Sequence, residues 1–128
     1  MKKIKTSIQP WLSVRNSAKA LKFYQEAFGA LETYRLDSPD GGLVLGLSID
    51  GAAFWVSGHS ADTTEDLPTN SVGDSIKFIL TVDNPDLVFS QALRAGAEEI
   101  FPVGEDFGWR LGKVADPFGF HWEIGKQL

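Results

Sequence analysis

Residues 8–16 read Ile-Gln-Pro-Trp-Leu-Ser-Val-Arg-Asn, and residues 76–84 read Ile-Lys-Phe-Ile-Leu-Thr-Val-Asp-Asn, so a similar segment occurs twice, 68 positions apart. A similar turn follows in each copy, Phe-Gly-Ala at 28–30 and Ala-Gly-Ala at 95–97. A repeat at this period indicates one supersecondary unit present twice. We therefore expect two half-sheets that close around a shared cavity, with matching strand positions facing each other.

The hydrophobic pattern gives both copies the same order of elements, β-α-β-β-β. Alternating or short apolar runs predict strands, and an apolar face with a 3.6-residue period predicts a helix. In the first copy the strands fall at 7–14, 31–36, 43–49 and 52–57 and the helix at 17–28; in the second the strands fall at 75–82, 98–102, 109–115 and 120–125 and the helix at 86–95. Asn16 and Asn84 precede the helices as N-caps.

Length and composition indicate one globular domain. The 128 residues are 43% apolar and 23% charged, which is ordinary for a soluble protein. We treat 1–128 as a single domain, with a first module at about 6–58, a polar linker at 59–74 and a second module at about 75–126. The absence of cysteine excludes a disulfide framework and thiolate chemistry and fits a cytoplasmic location.

Charge and hydropathy limit the classes of partner that this protein can bind. The net charge of −5 argues against a nucleic-acid partner, because phosphate binding needs a basic surface. It is compatible with a cationic or neutral ligand. No stretch is long and apolar enough to span a bilayer, so no membrane partner is expected.

The strand period of two sorts the repeated strands into two faces. One face, with Leu12 and Val14 or Leu80 and Val82, should pack on the helices. The other face should line the cavity, and it carries Gln9, Trp11, Lys77 and Ile79.

Paired β-α-β-β-β modules, with an Asp-Pro-Phe-Gly hairpin at 116–119 before a last strand ending in Trp122-Glu123-Ile124, resemble the vicinal oxygen chelate superfamily. This is the family of glyoxalases, bleomycin-resistance proteins and ring-cleaving dioxygenases, and the chain is most similar to its small PhnB-like bacterial members. The resemblance implies an α+β fold whose two modules form an incomplete barrel around a concave pocket. It also implies a homodimer, because members commonly dimerise and sometimes exchange modules.

The resemblance implies four metal-ligand positions, which fall on Gln9, Trp55, Lys77 and Glu123. Of these, Glu123 is the ligand typical of the family. Gln9 offers an amide oxygen, the Trp55 indole cannot ligate, and Lys77 brings positive charge to the place of a cation. A divalent ion needs three or more converging donors. We therefore predict no cofactor, with a divalent metal as the less favoured alternative.

Further candidates each have a structural alternative. Trp11 and Trp55 either form the aromatic walls of a ligand site or plug the pocket. Lys77 with Glu123 is either a ligand-binding or acid–base pair or a structural ion pair. His121 shares a face with Glu123, and a His-x-Glu pair either supports acid–base work or a metal, or contains a histidine that is satisfied by a nearby carbonyl. His59 stands at the edge of the linker. Arg110 either holds an anionic group at the pocket rim or is solvated.

Three classes of function follow. The favoured one is metal-independent binding of an aromatic or cationic small molecule through Gln9, Trp11, Trp55, Lys77, Ile79, Arg110, His121 and Glu123. The second is a glyoxalase- or dioxygenase-like enzyme with Glu123 as the catalytic base or metal ligand. The third is a degenerate module whose pocket is filled.

Overall fold

The computed structural model describes residues 6–39, 41–59 and 76–128, which form two similar modules. Module 1 contains β1 (Trp11–Asn16), α1 (Ser17–Phe28), β2 (Leu31–Asp37), β3 (Leu43–Ile49) and β4 (Ala52–His59), and module 2 contains β5 (Lys77–Thr81), α2 (Pro85–Ala95), β6 (Glu98–Asp106), β7 (Trp109–Ala115) and β8 (His121–Gln127). The α+β fold of two β-α-β-β-β modules is confirmed. Most of the linker at 59–74 lies outside the described residues.

Each module folds into one open four-stranded sheet. The strand orders are β1-β4-β3-β2 and β5-β8-β7-β6, and the first two strands of each order run parallel. Trp11 lies beside Trp55 in one sheet, and Ile79 lies beside Glu123 in the other. These pairs are related by the offset of 68, so the register of the structure follows the repeat in the sequence.

Helix α1 has the predicted bounds, and α2 ends as predicted but begins one residue earlier, at Pro85. The side chain of Asn16 accepts a hydrogen bond from the backbone N of Lys19 at 3.0 Å, and Asn84 accepts one from Leu87 at 3.2 Å. Each cap satisfies a backbone donor that the first helical turn leaves unpaired. Gly29 ends α1 with a φ of 68°, a left-handed conformation that favours glycine.

The strand that follows the second helix is longer than predicted. We expected it at 98–102, but β6 continues to Asp106 and includes Pro102. Proline is compatible with this position because β6 is an edge strand, where one side needs no ladder hydrogen bonds. No helix in the described ranges is both long and apolar enough to cross a membrane.

The two modules share one aromatic core. Phe54 of β4 lies 5.9 Å from Trp122 of β8 between ring centroids, and Phe28 of α1 lies 4.8 Å from the same indole. Because neighbouring strand residues point to opposite faces, Trp55 and Glu123 point away from this core. The sheets therefore stack with their helix-covered faces inward, and we call the two outward faces the open faces.

This stacking corrects one expectation. Among the described residues, matching strand positions do not face each other within one chain, because the two open faces point away from each other. The physical reason lies in α1, whose buried Phe23, Tyr24 and Phe28 contact aromatic rings of module 2. The apolar area removed from water here favours the back-to-back arrangement.

A buried carboxylate, Asp116, joins the modules. Its Oδ2 accepts hydrogen bonds from the Tyr24 hydroxyl at 2.6 Å and from Trp122 Nε1 at 2.9 Å. Its Oδ1 accepts from the backbone N of Phe118 and of Phe120 at 3.0 and 2.9 Å. Burial raises the pKa of Asp116, and these four donors oppose the rise. Burial, followed by the neighbouring carboxylate, raises the pKa of Tyr24 well above its usual value.

We predict that Asp116→Asn lowers the free energy of unfolding by about 3 kcal/mol, because an amide supplies one acceptor oxygen and leaves two buried donors unpaired. Urea denaturation of the purified protein measures this loss. Tyr24→Phe removes one donor and should cost about 1 kcal/mol. Asp106→Asn, at an exposed carboxylate, is the matched control. A loss for Asp116→Asn no larger than that of Tyr24→Phe would contradict the assigned hydrogen bonds.

Candidate aromatic ligand site

The open face of module 1 carries a row of three aromatic side chains across β1, β4 and β2. The rings of Trp11 and Trp55 are stacked, with 6.2 Å between centroids and 19° between planes. Tyr34 meets Trp55 edge to face at 5.4 Å. We call these three residues the aromatic row. Ring faces arranged in this way suit a planar apolar ligand.

Two hydrogen bonds hold the indoles in place. Trp55 Nε1 donates to Gln9 Oε1 at 2.7 Å, and Trp11 Nε1 donates to Ser57 Oγ at 3.0 Å. Trp11 is nevertheless 55% exposed and Tyr34 47% exposed. The indole N–H groups are therefore satisfied within the chain, and apolar ring surface remains in contact with water.

Gly46 of β3 makes room for the aromatic row. A Cβ at this position would lie 3.0 Å from Thr33 Oγ1, 3.0 Å from Tyr34 Cβ and 3.2 Å from the Trp55 ring. The absence of a side chain at Gly46 lets the Trp55 indole cross β3 and reach Tyr34 on β2.

The open face of module 2 carries an ion pair at the equivalent place. Lys77 Nζ donates to Glu123 Oε2, and the Glu123 side chain is only 15% exposed. Lys77 and Glu123 correspond to Gln9 and Trp55 through the offset of 68, so the same cross-strand place holds an indole–amide hydrogen bond in one module and an ammonium–carboxylate pair in the other. Ile79 on this face is 66% exposed.

The four positions of the implied metal site do not fit a metal ion. Gln9 and Trp55 bind each other on one open face, while Lys77 and Glu123 bind each other on the face that points away from it. An indole and an ammonium supply no lone pair to a cation. In the part of the chain that the structure describes, no three His, Asp or Glu side chains converge.

Of the two histidines, the structure describes the side chain of His121 but only the backbone of His59. His121 lies on the open face of module 2, two residues before Glu123 and beside Lys77, as predicted. Its Nδ1 is buried, and no described group forms a hydrogen bond with it. His59 ends β4, and its side chain lies outside what the structure describes.

The expectation that Arg110 reaches the pocket rim is wrong. Its guanidinium binds Asp86 of α2 through two hydrogen bonds of 2.8 and 2.6 Å, on the helix-covered side of the sheet. Strand alternation explains this, because Arg110 shares its face with Gly112, where a Cβ would touch Phe89 of α2. The Arg110 guanidinium lowers the pKa of Asp86.

Lys113, which is not among the site residues predicted from the sequence, lies on the open face of module 2 directly across from Glu123. Its neighbours Gly112 and Val114 are buried toward the helices, so alternation turns Lys113 outward. The alternation of residues 109–115 indicates which face Lys113 lies on. Only the register of β7 against β8 shows that Lys113 lies next to Glu123.

The comparisons with known proteins agree with this architecture. The family model of the Glyoxalase/Bleomycin resistance protein/Dioxygenase superfamily matches residues 7–124. The chain belongs to this superfamily. It is 34% identical to Rv0887c, an uncharacterized protein of Mycobacterium tuberculosis, over 98% of this chain and 76% of that protein.

Two solved structures show the same fold. A gene product of Arabidopsis thaliana, At5g48480, superposes with a TM-score of 0.65 at 25% identity, over 94% of this chain and 98% of that one. A glyoxalase/bleomycin resistance protein/dioxygenase domain from Frankia sp. EAN1pec superposes with a TM-score of 0.75 at 15% identity, over 98% of this chain and 100% of that one.

We predict that Gly46→Ala displaces the Trp55 ring, because the added Cβ would lie only 3.0–3.2 Å from three neighbours, which must move to make room. Overpacking of this kind costs about 1–3 kcal/mol. Near-ultraviolet circular dichroism should show an altered tryptophan signal, and urea denaturation should show the lost stability. Gly104→Ala is the matched control, since a Cβ on this strand glycine meets nothing within 4 Å. Equal spectra for the wild type and Gly46→Ala would contradict the assigned packing.

Proposed function

We propose that this protein binds a planar aromatic small molecule on the aromatic row and does so without a metal ion. The observation that carries the proposal is the stacked pair of the exposed Trp11 and the partly buried Trp55, whose indole N–H groups are already hydrogen-bonded to Ser57 and Gln9. A ligand that stacks there gains apolar contact and leaves both hydrogen bonds intact.

Preorganisation supports this function. Fixing a flexible side chain on binding costs about 0.5–1.5 kcal/mol of free energy. Hydrogen bonds already fix Trp11 and Trp55 in the free protein, so binding requires no further ordering of these side chains. The alternative of a filled pocket is less well supported, because a plug should be buried and Trp11 is 55% exposed.

A second candidate is an enzyme in which Glu123 acts as a general base. The observation that favours it is the position of Glu123 on an open face beside Lys77 and His121. Binding ranks first because Oε2 of Glu123 already accepts from Lys77, so a substrate proton would have to compete with an ammonium for that oxygen.

We further propose that the protein acts as a homodimer in which the open face of module 1 meets the open face of module 2 of a second copy. Ile8 is 97% exposed and Ile76 55% exposed, and these residues are related by the repeat. They precede β1 and β5, which are edge strands of their sheets. Together with Trp11 and Ile79 they leave matched apolar surfaces at both edges, and such patches mark contact sites.

We predict that 2-naphthalenemethanol, a neutral bicyclic probe, binds saturably in calorimetric titration and equally in the presence of EDTA. Trp11→Ala should weaken its affinity about tenfold, because one ring face of the site is lost. Phe107→Ala is the matched control, since Phe107 is an exposed aromatic residue at the β6–β7 turn. Absence of binding, unchanged affinity in Trp11→Ala, or loss of binding with EDTA would each contradict the proposal.

For the dimer, we expect multi-angle light scattering to give twice the 14.0 kDa mass of the chain. Ile79→Lys should shift the protein toward monomer, because it places a charge in the proposed interface. Leu87→Lys, at a residue of α2 that is 50% exposed, should leave the mass unchanged. A monomeric wild-type protein at high micromolar concentration would refute the dimer.

A further inference from the structure

The open face of module 2 carries more positive than negative charge at its centre. Glu123 lies on β8 between Ile79 of β5 and Lys113 of β7. Its carboxylate is already bound by Lys77, so Lys113 is a second ammonium beside a carboxylate that has a partner. None of the described carboxylates forms an ion pair with Lys113.

Two apolar residues flank Lys113 on this face, opposite the side on which Glu123 lies or along the strand. Phe101 of β6 pairs with Lys113 on the side away from β8. Leu111 precedes Lys113 by two residues in β7 and lies on the same face. Lys113 itself is partly buried. The carboxylates of Glu98 and Asp106 lie on the edge strand β6 and are exposed. An ammonium in apolar surroundings interacts more strongly with an anion than one in water, because the local dielectric constant is lower.

This local charge contrasts with that of the whole chain. The net charge of −5 by itself favours a cationic ligand. The charged groups at the centre of the open face, Lys77, Lys113 and Glu123, sum to the opposite sign. The charges nearest the centre contribute most to the potential at a bound ligand, because salt weakens the interaction between charges with distance, with a Debye length of about 8 Å.

We propose that the ligand of this protein is an aromatic anion, a planar ring system that carries a carboxylate, and that Lys113 determines this specificity by binding the anionic group. The inference rests on the proposed binding function: the ring stacks on the aromatic row of one chain, and the carboxylate meets Lys113 of a second copy. Lys77 keeps Glu123 neutralised, so that the carboxylate of the protein does not repel that of the ligand.

A set of three probes with the same ring system tests the charge: 2-naphthoate, 2-naphthalenemethanol and 2-naphthylmethylammonium, each titrated by calorimetry into the wild-type protein. We expect the anion to bind about tenfold more tightly than the alcohol, which corresponds to about 1.4 kcal/mol, and the cation to bind most weakly. Lys113→Gln should reduce naphthoate affinity to that of the alcohol and leave the affinity for the alcohol unchanged. Lys22→Gln, at an exposed lysine of α1, makes the same change of charge elsewhere and should have no effect.

The outcomes separate the two proposals. If no probe binds, the binding function fails and this inference fails with it. If the alcohol binds as tightly as naphthoate, or the ammonium binds more tightly, the binding function stands and the anionic class is overturned. Naphthoate affinity that is equal in Lys113→Gln and the wild type overturns the role of Lys113.

Mixing two variants tests whether the site spans two chains. Trp11→Ala and Lys113→Gln each weaken naphthoate binding, but a mixed dimer of the two contains one site in which both residues are native. After subunit exchange, about a quarter of the sites should recover wild-type affinity, as expected for random pairing in a twofold dimer. Absence of any recovery, with exchange verified by mass spectrometry, would overturn the shared site.

Discussion

The structure depends on the contact between Tyr24 of the first module and Asp116 and Trp122 of the second. A buried carboxylate is stable only when hydrogen bonds replace its lost hydration, and here a phenol, an indole and two backbone amides do so. This contact draws both helix-covered faces into one core. Every feature assigned to function follows from it, because stacking the sheets on their inner faces turns the remaining two faces outward.

The two open faces share a scaffold but differ in chemistry. At the place where module 1 joins Gln9 to Trp55, module 2 joins Lys77 to Glu123. Both contacts tie the beginning of the module to its last strand, β4 or β8, so the backbone can be alike while the side chains diverge. A duplicated unit thereby offers aromatic surface on one side and charge on the other. A ligand with a ring and a charged group needs both kinds of surface.

Water contact distinguishes these faces from the core. Leu45, Leu47 and Val56 are fully buried beneath the helices, whereas Trp11, Tyr34 and Ile79 remain between 47% and 66% exposed. Scattered apolar residues are normal on protein surfaces, but contiguous ones on a sheet face indicate a contact that the single chain does not make. The aromatic row meets this description, and its hydrogen-bonded indoles give it a fixed shape.

The sequence by itself determined the modules, the helix caps and the face on which the residues of β1 and β5 lie, because these depend on local periodicity and on the repeat. It identified the superfamily. It also correctly paired Lys77 with Glu123, because the offset of 68 residues places them at positions equivalent to Gln9 and Trp55. It placed Arg110 wrongly and passed over Lys113, because the position of a residue relative to α2 or β8 depends on packing and pairing between distant segments. Only the tertiary structure decided that the modules stack back to back, because that choice rests on contacts between aromatic side chains more than 60 residues apart.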